Sequence, residues 1–253
     1  MKSLILLIFI IISCQKKSST NNKVRPPLEN PILTQSSLTK DWILSGTLHN
    51  ININITGLIR GSITVAKSNN DFIVDVLFKS SSAKTLHIQN IHLGDECPTK
   101  DNDINQDGII DILESLPVTK NVIIPIDGNL KTQDDGKFIS PISDDFGNYQ
   151  YSSFTQFNDI LSDLLELDND PFDEIAKLES KAEFNLENKV FVIYGVPEST
   201  VLPTSVAVLG KHPSFQILPI ACAKLKLNQS RPGKIIDDDP TIEIAPNNDE
   251  EYR

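Results

Sequence analysis

The chain has 253 residues, 39% of them hydrophobic, and a formal net charge of -11, enough apolar material for a globular core and the wrong sign for a nucleic-acid partner. The same sign repels anionic headgroups, so charge alone does not attach this chain to a membrane. With three cysteines and four histidines, soft-metal chemistry is short of ligands.

The N-terminus opens with Lys2 and an apolar run from Leu4 to Ile12, too short for a span of about 20 residues and of the kind found in export signals. Ile11, Ile12, Ser13 and Cys14 resemble the lipobox of bacterial lipoproteins. That resemblance implies removal of residues 1–13, lipid on Cys14 and a membrane partner reached through that lipid. Gln15 in the next position resembles lipoproteins sent on to the outer membrane, so the expected location is the cell envelope. Residues 14–40 read as a tether, polar and interrupted by Pro26, Pro27 and Pro31. With Cys14 assigned to lipid, Cys97 and Cys222 read as one disulfide in an oxidising envelope, two buried thiols being the alternative.

Residues 41–229 read as one β domain. Ile63 and Val65 alternate with Ser62 and Thr64, and Phe72, Val74, Val76 and Phe78 line one face of a second strand after an Asn69, Asn70 turn. Further strands are expected at Thr85 to His92, Val122 to Ile126, Lys189 to Tyr194 and Ile217 to Leu227. Many short strands with turn signals and few helices predict a mainly β Greek-key barrel or sandwich.

Between the third and fourth strands lies DINQDGIIDILE, residues 103–114, which sets oxygen ligands at the spacing of a twelve-residue calcium loop. Asp103, Asn105 and Asp107 stand at positions 1, 3 and 5, and Ile109 offers its carbonyl at position 7. Asp111 stands at position 9 and Glu114 closes the loop at position 12. Gly108 takes the sharp turn and Ile110 is the apolar anchor. Hard oxygen donors in this number point to calcium and away from copper or zinc. With no second such loop, the expectation is a single structural calcium site.

A helical insertion is expected over residues 153–181. Phe154, Phe157, Ile160, Leu161, Leu164 and Leu165 follow a helical period, capped by Ser152 or Ser153, and Asp170 with Pro171 starts a second short helix through Leu178. Residues 230–253 form an acidic tail.

Three patches resemble the copper/zinc superoxide dismutases: TLHIQNIHLGDEC from Thr85, ENKVFVIYG from Glu187 and LPIACAKLKL from Leu218. The similarity runs from about Leu58 to Leu227 and implies the family's Greek-key barrel and a Cys97–Cys222 bridge. It places His92 on a copper-ligand position, but puts Asn90 and Tyr194 where further copper ligands belong. No His follows Cys97 to bridge copper to zinc, and the calcium loop occupies the zinc-binding region. His87 and His92 fall on opposite faces of an ideal strand. The expectation is therefore a non-catalytic, calcium-binding module with an unknown protein or small-molecule partner. The alternatives are a divergent copper-dependent superoxide dismutase and a copper or zinc carrier.

Overall fold

The structure is a computed structural model that describes residues 41–80, 82–128, 130, 140–165 and 176–228. The signal, Cys14, the tether, most of the second expected helix and the acidic tail lie outside the described residues.

The domain is mainly β. Its first sheet contains β1 (Trp42–Thr47), β3 (Arg60–Ser68), β4 (Asp71–Lys79), β7 (Asn148–Gln156) and β10 (Lys226–Leu227), in the order β10-β1-β3-β4-β7. The second contains β2 (His49–Asn50), β5 (Gln89–His92), β6 (Val122–Pro125), β8 (Val190–Tyr194) and β9 (Pro219–Lys224), in the order β2-β9-β8-β5-β6. Every pairing is antiparallel, and among the described residues no strand pairing joins the two sheets into a closed barrel.

The β3–β4 hairpin forms as its alternation predicts. Nine residue pairs run from Arg60↔Lys79 to Ser68↔Asp71, and Asn69 at the tip takes φ 54°, which Asn tolerates better than most residues. Phe72, Val74, Val76 and Phe78 are buried on one face of β4, while Asp71, Asp75, Leu77 and Lys79 are exposed on the other. Among the described residues the first sheet is thus covered on one face only. The second is covered on both, because Phe191 and Ile193 of β8 enter the core between the sheets and Val190, Val192 and Tyr194 enter a separate core on the far side.

Several expected boundaries move for identifiable reasons. The strand expected from Thr85 begins at Gln89, because His87 N–H donates to the Pro141 carbonyl and Thr85 carbonyl accepts from Ser143. The last expected strand divides: Ser214–Ile217 is a single helical turn, β9 belongs to the second sheet, and β10 belongs to the first. The chain changes sheets at Leu225, as it does between β1 and β2 at Leu48, and both leucines are buried in the central core.

The helical insertion starts later than its apolar period suggests. Asn148–Gln156 is a strand paired with β4 from Lys79↔Asn148 to Asp71↔Gln156, so Ser152 and Ser153 cap nothing and Phe154 lies 74% exposed on the sheet. After the short helices α1 (Ile53–Thr56) and α2 (Ile112–Thr119), helix α3 occupies Phe157–Leu165, where Phe157, Ile160, Leu161 and Leu164 are buried. A nine-residue partner strand offers a ladder of backbone hydrogen bonds that outweighs one added helical turn. Residues 176–180 are not helical, and Lys181–Glu183 is a 3₁₀ turn.

Cys97 and Cys222 are joined, with Cα atoms 5.7 Å apart and a sequence separation of 125. Closing a loop of this length removes unfolded-state entropy equivalent to about 5 kcal/mol, set against any native strain. The Cys97→Ala/Cys222→Ala double variant should lose about 3–5 kcal/mol in denaturant unfolding. A midpoint equal to that of wild type would show that the bridge contributes no net stability.

Candidate metal loop and the polar groups behind it

Residues 95–121 leave the second sheet after β5 and return as β6. Lys100–Asn102 makes a 3₁₀ turn, the acidic loop follows, and helix α2 (Ile112–Thr119) leads back to the sheet. The excursion is pinned where it rejoins the sheet. Gly94 N–H donates to the Thr119 carbonyl at 2.7 Å, and Leu93 N–H donates to the Asn121 carbonyl at 2.9 Å. A Cβ on Gly94 would lie 2.1 Å from the Val118 carbonyl oxygen, so only glycine admits this approach of helix end to strand.

Within the loop the acidic side chains fold onto the loop's own backbone. Asp103 accepts from the N–H groups of Asp107 at 3.2 Å and Gly108 at 2.9 Å, while Asn105 Oδ1 also accepts from Asp107 N–H at 2.9 Å. Glu114 Oε1 accepts from Ile104 and Asn105, and its Oε2 accepts from Asp111, which joins the last loop position to the first few. Gly108 has φ 84°, the left-handed turn expected of it, with no atom within 4 Å of a Cβ placed there. Asp111 is the N-cap of α2, where Oδ1 accepts from Leu113 and Glu114, while Oδ2 accepts from Ala207 N–H at 2.8 Å. The Ser205 hydroxyl donates to Asp107 Oδ2, and this bond is the first cause of a lowered Asp107 pKa.

Asp111 is 4% exposed and Glu114 7% exposed, yet among the described residues no basic side chain forms an ion pair with Asp103, Asp107, Asp111 or Glu114. Backbone N–H groups and the Ser205 hydroxyl are the partners found there. Among the described residues no three His, Cys, Asp or Glu side chains form a ready metal-holding group, because the carboxylates are turned onto those N–H donors. Ile109 is buried, and Ile110 is buried as the anchor position requires.

Asn52 was not legible as a partner of this loop. Its amide donates to the carbonyls of Ile110 at 2.9 Å and Pro219 at 2.8 Å and accepts from Ile110 N–H at 2.9 Å. A buried side chain 58 residues away in sequence thus satisfies both backbone groups of the anchor residue. Ser205 and Ala207 are equally remote from the loop in sequence, and no local pattern marks them.

His87 and His92 separate as their spacing predicts. His87 packs on Phe78 and Tyr149 of the central core, at ring-centroid distances of 4.7 and 5.5 Å. His92 meets Tyr194, whose ring belongs to the outer core. His92 Nδ1–H donates to the Lys120 carbonyl at 2.8 Å, and its Nε2 accepts from the Tyr194 hydroxyl at 2.8 Å. His87 Nδ1–H donates to the Tyr194 carbonyl at 3.1 Å, which leaves Nε2 as a buried, unprotonated acceptor without a hydrogen-bond partner among the described residues. Burial lowers the pKa of each imidazole to about 4 and raises that of the Tyr194 phenol well above its ordinary value. His92 and Tyr194 are therefore in contact, with both nitrogens of His92 already hydrogen-bonded.

No protein-family model matches this chain, and no curated protein is similar to it.

Two outcomes follow from these contacts. Asn52→Ala leaves the Ile110 N–H and carbonyl and the Pro219 carbonyl without this partner, and should destabilise the fold by about 1–3 kcal/mol in denaturant unfolding. A loss under about 0.5 kcal/mol would mean that water replaces the amide without penalty. The histidines make stability depend on pH. Their folded pKa values, about 4, lie below the ordinary 6.5, so between these limits the unfolded chain binds more protons. Stability should fall as pH drops from about 6.5 towards 4, by up to about 1.4 kcal/mol per pH unit for each imidazole. His92→Gln should roughly halve the slope measured between pH 6.5 and 5, and an unchanged slope would remove His92 from the account.

Proposed function

We propose that this chain is a non-catalytic, calcium-binding lipoprotein of the bacterial cell envelope, whose superoxide dismutase-like Greek-key domain serves as a binding or structural module. The observation that carries the calcium assignment is the set of four loop carboxylates, two of them buried, with no basic side chain paired to them among the described residues. Buried charges are ordinarily paired or coordinated to metal. The donor set is hard oxygen throughout, with Asp103, Asn105, Asp107, the Ile109 carbonyl and Glu114 as direct ligands and Asp111 acting through water. A bound calcium would supply positive charge to a region that otherwise relies on backbone N–H groups. It would hold the start of α2 in place while the Cys97–Cys222 bond holds the preceding segment.

The superoxide dismutase likeness draws support from topology. The chain passes from β4 to the β5–β6 pair, crosses back to β7 beside β4, and returns to β8 beside β5, an over-and-back path of Greek-key type. The lipobox-like Cys14 supports attachment through lipid at the outer membrane. Copper and zinc have no place in this reading.

A second reading, a divergent copper-dependent superoxide dismutase or a copper or zinc carrier, is favoured by the His92–Tyr194 contact alone. It requires that contact to open, and it requires further ligands where the resemblance finds Asn90.

Calcium should raise the melting temperature of the wild-type chain, with one calcium and no stoichiometric copper found by mass spectrometry after equilibration with both. Glu114→Gln keeps the side-chain volume and removes the carboxylate charge, and both it and Asp103→Ala should abolish the calcium-dependent rise. At calcium 100-fold above Kd the wild-type gain should be about 2.7 kcal/mol. Equal shifts in wild type and both variants would defeat the loop assignment, and stoichiometric copper would favour the second reading.

A further inference from the structure

Among the described residues the two sheets present four edges, and three of them are blunted. β10 and β2 have two residues each, and β6 has four and ends in Pro125. Short length and proline are two of the means by which edge strands avoid pairing with other chains. The fourth edge, β7, has none of these protections. Its nine residues, NYQYSSFTQ, include no charge and no proline, and all nine pair with β4 without a bulge. Among the described residues no strand pairs with its other side.

We propose that β7 is the surface through which two copies of this chain associate, edge to edge and antiparallel, about a two-fold axis at Ser152. In that register the central seven residues, Tyr149 to Thr155, pair, because the Asn148 N–H and carbonyl are already bonded to Asp144 at one end of the strand. Gln150, Ser152 and Phe154 stay on the solvent-facing side, Ser152 stands opposite the partner's Ser152, and Phe154 stands opposite the partner's Gln150. Self-pairing of this kind sets like residues about the axis, so any charge near the centre would face its own copy. β7 is free of that penalty, whereas β3 carries Arg60 and Lys67, and β4 carries Asp71, Asp75 and Lys79. For a chain of net charge -11, a second copy meets general repulsion, and a neutral strand is where approach is least opposed. The contact also gives Phe154, 74% exposed, an apolar side-chain stem to lie against. Backbone pairing along one strand buries less than a standard interface, so the association is weak and concentration-dependent.

The test is sedimentation of the full chain in mild detergent between about 1 and 500 μM, comparing wild type with Ser152→Lys and Ser62→Lys. Ser152 and Ser62 are both exposed on the same face of this sheet, Ser62 two strands inward on β3, so neither lysine enters the core. Wild type and Ser62→Lys should shift together from monomer to dimer as concentration rises, while Ser152→Lys stays monomeric with an unchanged melting curve. Amide exchange along β7 should slow at high concentration in wild type only. A wild-type chain that remains monomeric throughout overturns the proposal, as would be expected if the edge took a different extended partner. A dimer that Ser152→Lys leaves intact overturns it equally, because the contact would then lie elsewhere.

Discussion

The second sheet has to be covered on both faces, and much of the remaining structure depends on that requirement. β8 reads VFVIY and all five residues are buried. Alternate side chains enter opposite cores, so the outer face would present Val190, Val192 and the Tyr194 ring to water if nothing packed on it. Ile112 of α2 and Ile217 before β9 cover that face, with Cys97, Ala207 and Leu209 packed beside them. The acidic loop is therefore part of a lid on a hydrophobic sheet, and its conformation bears on the fold as a whole.

This arrangement gives the loop carboxylates two tasks. Asp111 caps α2, ties Ala207 N–H to the helix start, and exchanges hydrogen bonds with Glu114 in a capping box. Glu114 also closes the loop onto Ile104 and Asn105. The same side chains that order the backbone supply the oxygen donors of the proposed calcium site. Coupling of metal binding to folding is the expected consequence, since the donors are assembled only when the lid is in place.

The buried polar residues sort by the same two faces. On the outer side His92 links the Tyr194 hydroxyl to the Lys120 carbonyl, and so joins β8 to the end of α2. On the inner side the Tyr149 hydroxyl donates to Gln89 Oε1, beside a His87 ring tilted against Phe78 and Tyr149. Neutral imidazoles suit both places, because a charged ring in either core would carry a large desolvation penalty. The geometry reads as a pair of tethers between elements.

The hairpin of β3 and β4, the strands at β6 and β8, the buried face of α3 and the oxygen-donor spacing of residues 103–114 are legible in the sequence, because each is a local pattern of side-chain period or turn chemistry. A disulfide between Cys97 and Cys222 follows from pairing the cysteines left after Cys14 is assigned to lipid. Tertiary structure alone decided that Asn148–Gln156 is a strand, since residues 154–156 fit a helical period until β4 supplies a backbone partner. It also decided that Leu48 and Leu225 turn the chain between sheets, and that Asn52, Ser205 and Ala207 complete the acidic loop. These outcomes rest on hydrogen bonds and packing between residues far apart in sequence, and no local pattern of side chains encodes which distant partner a backbone group will find.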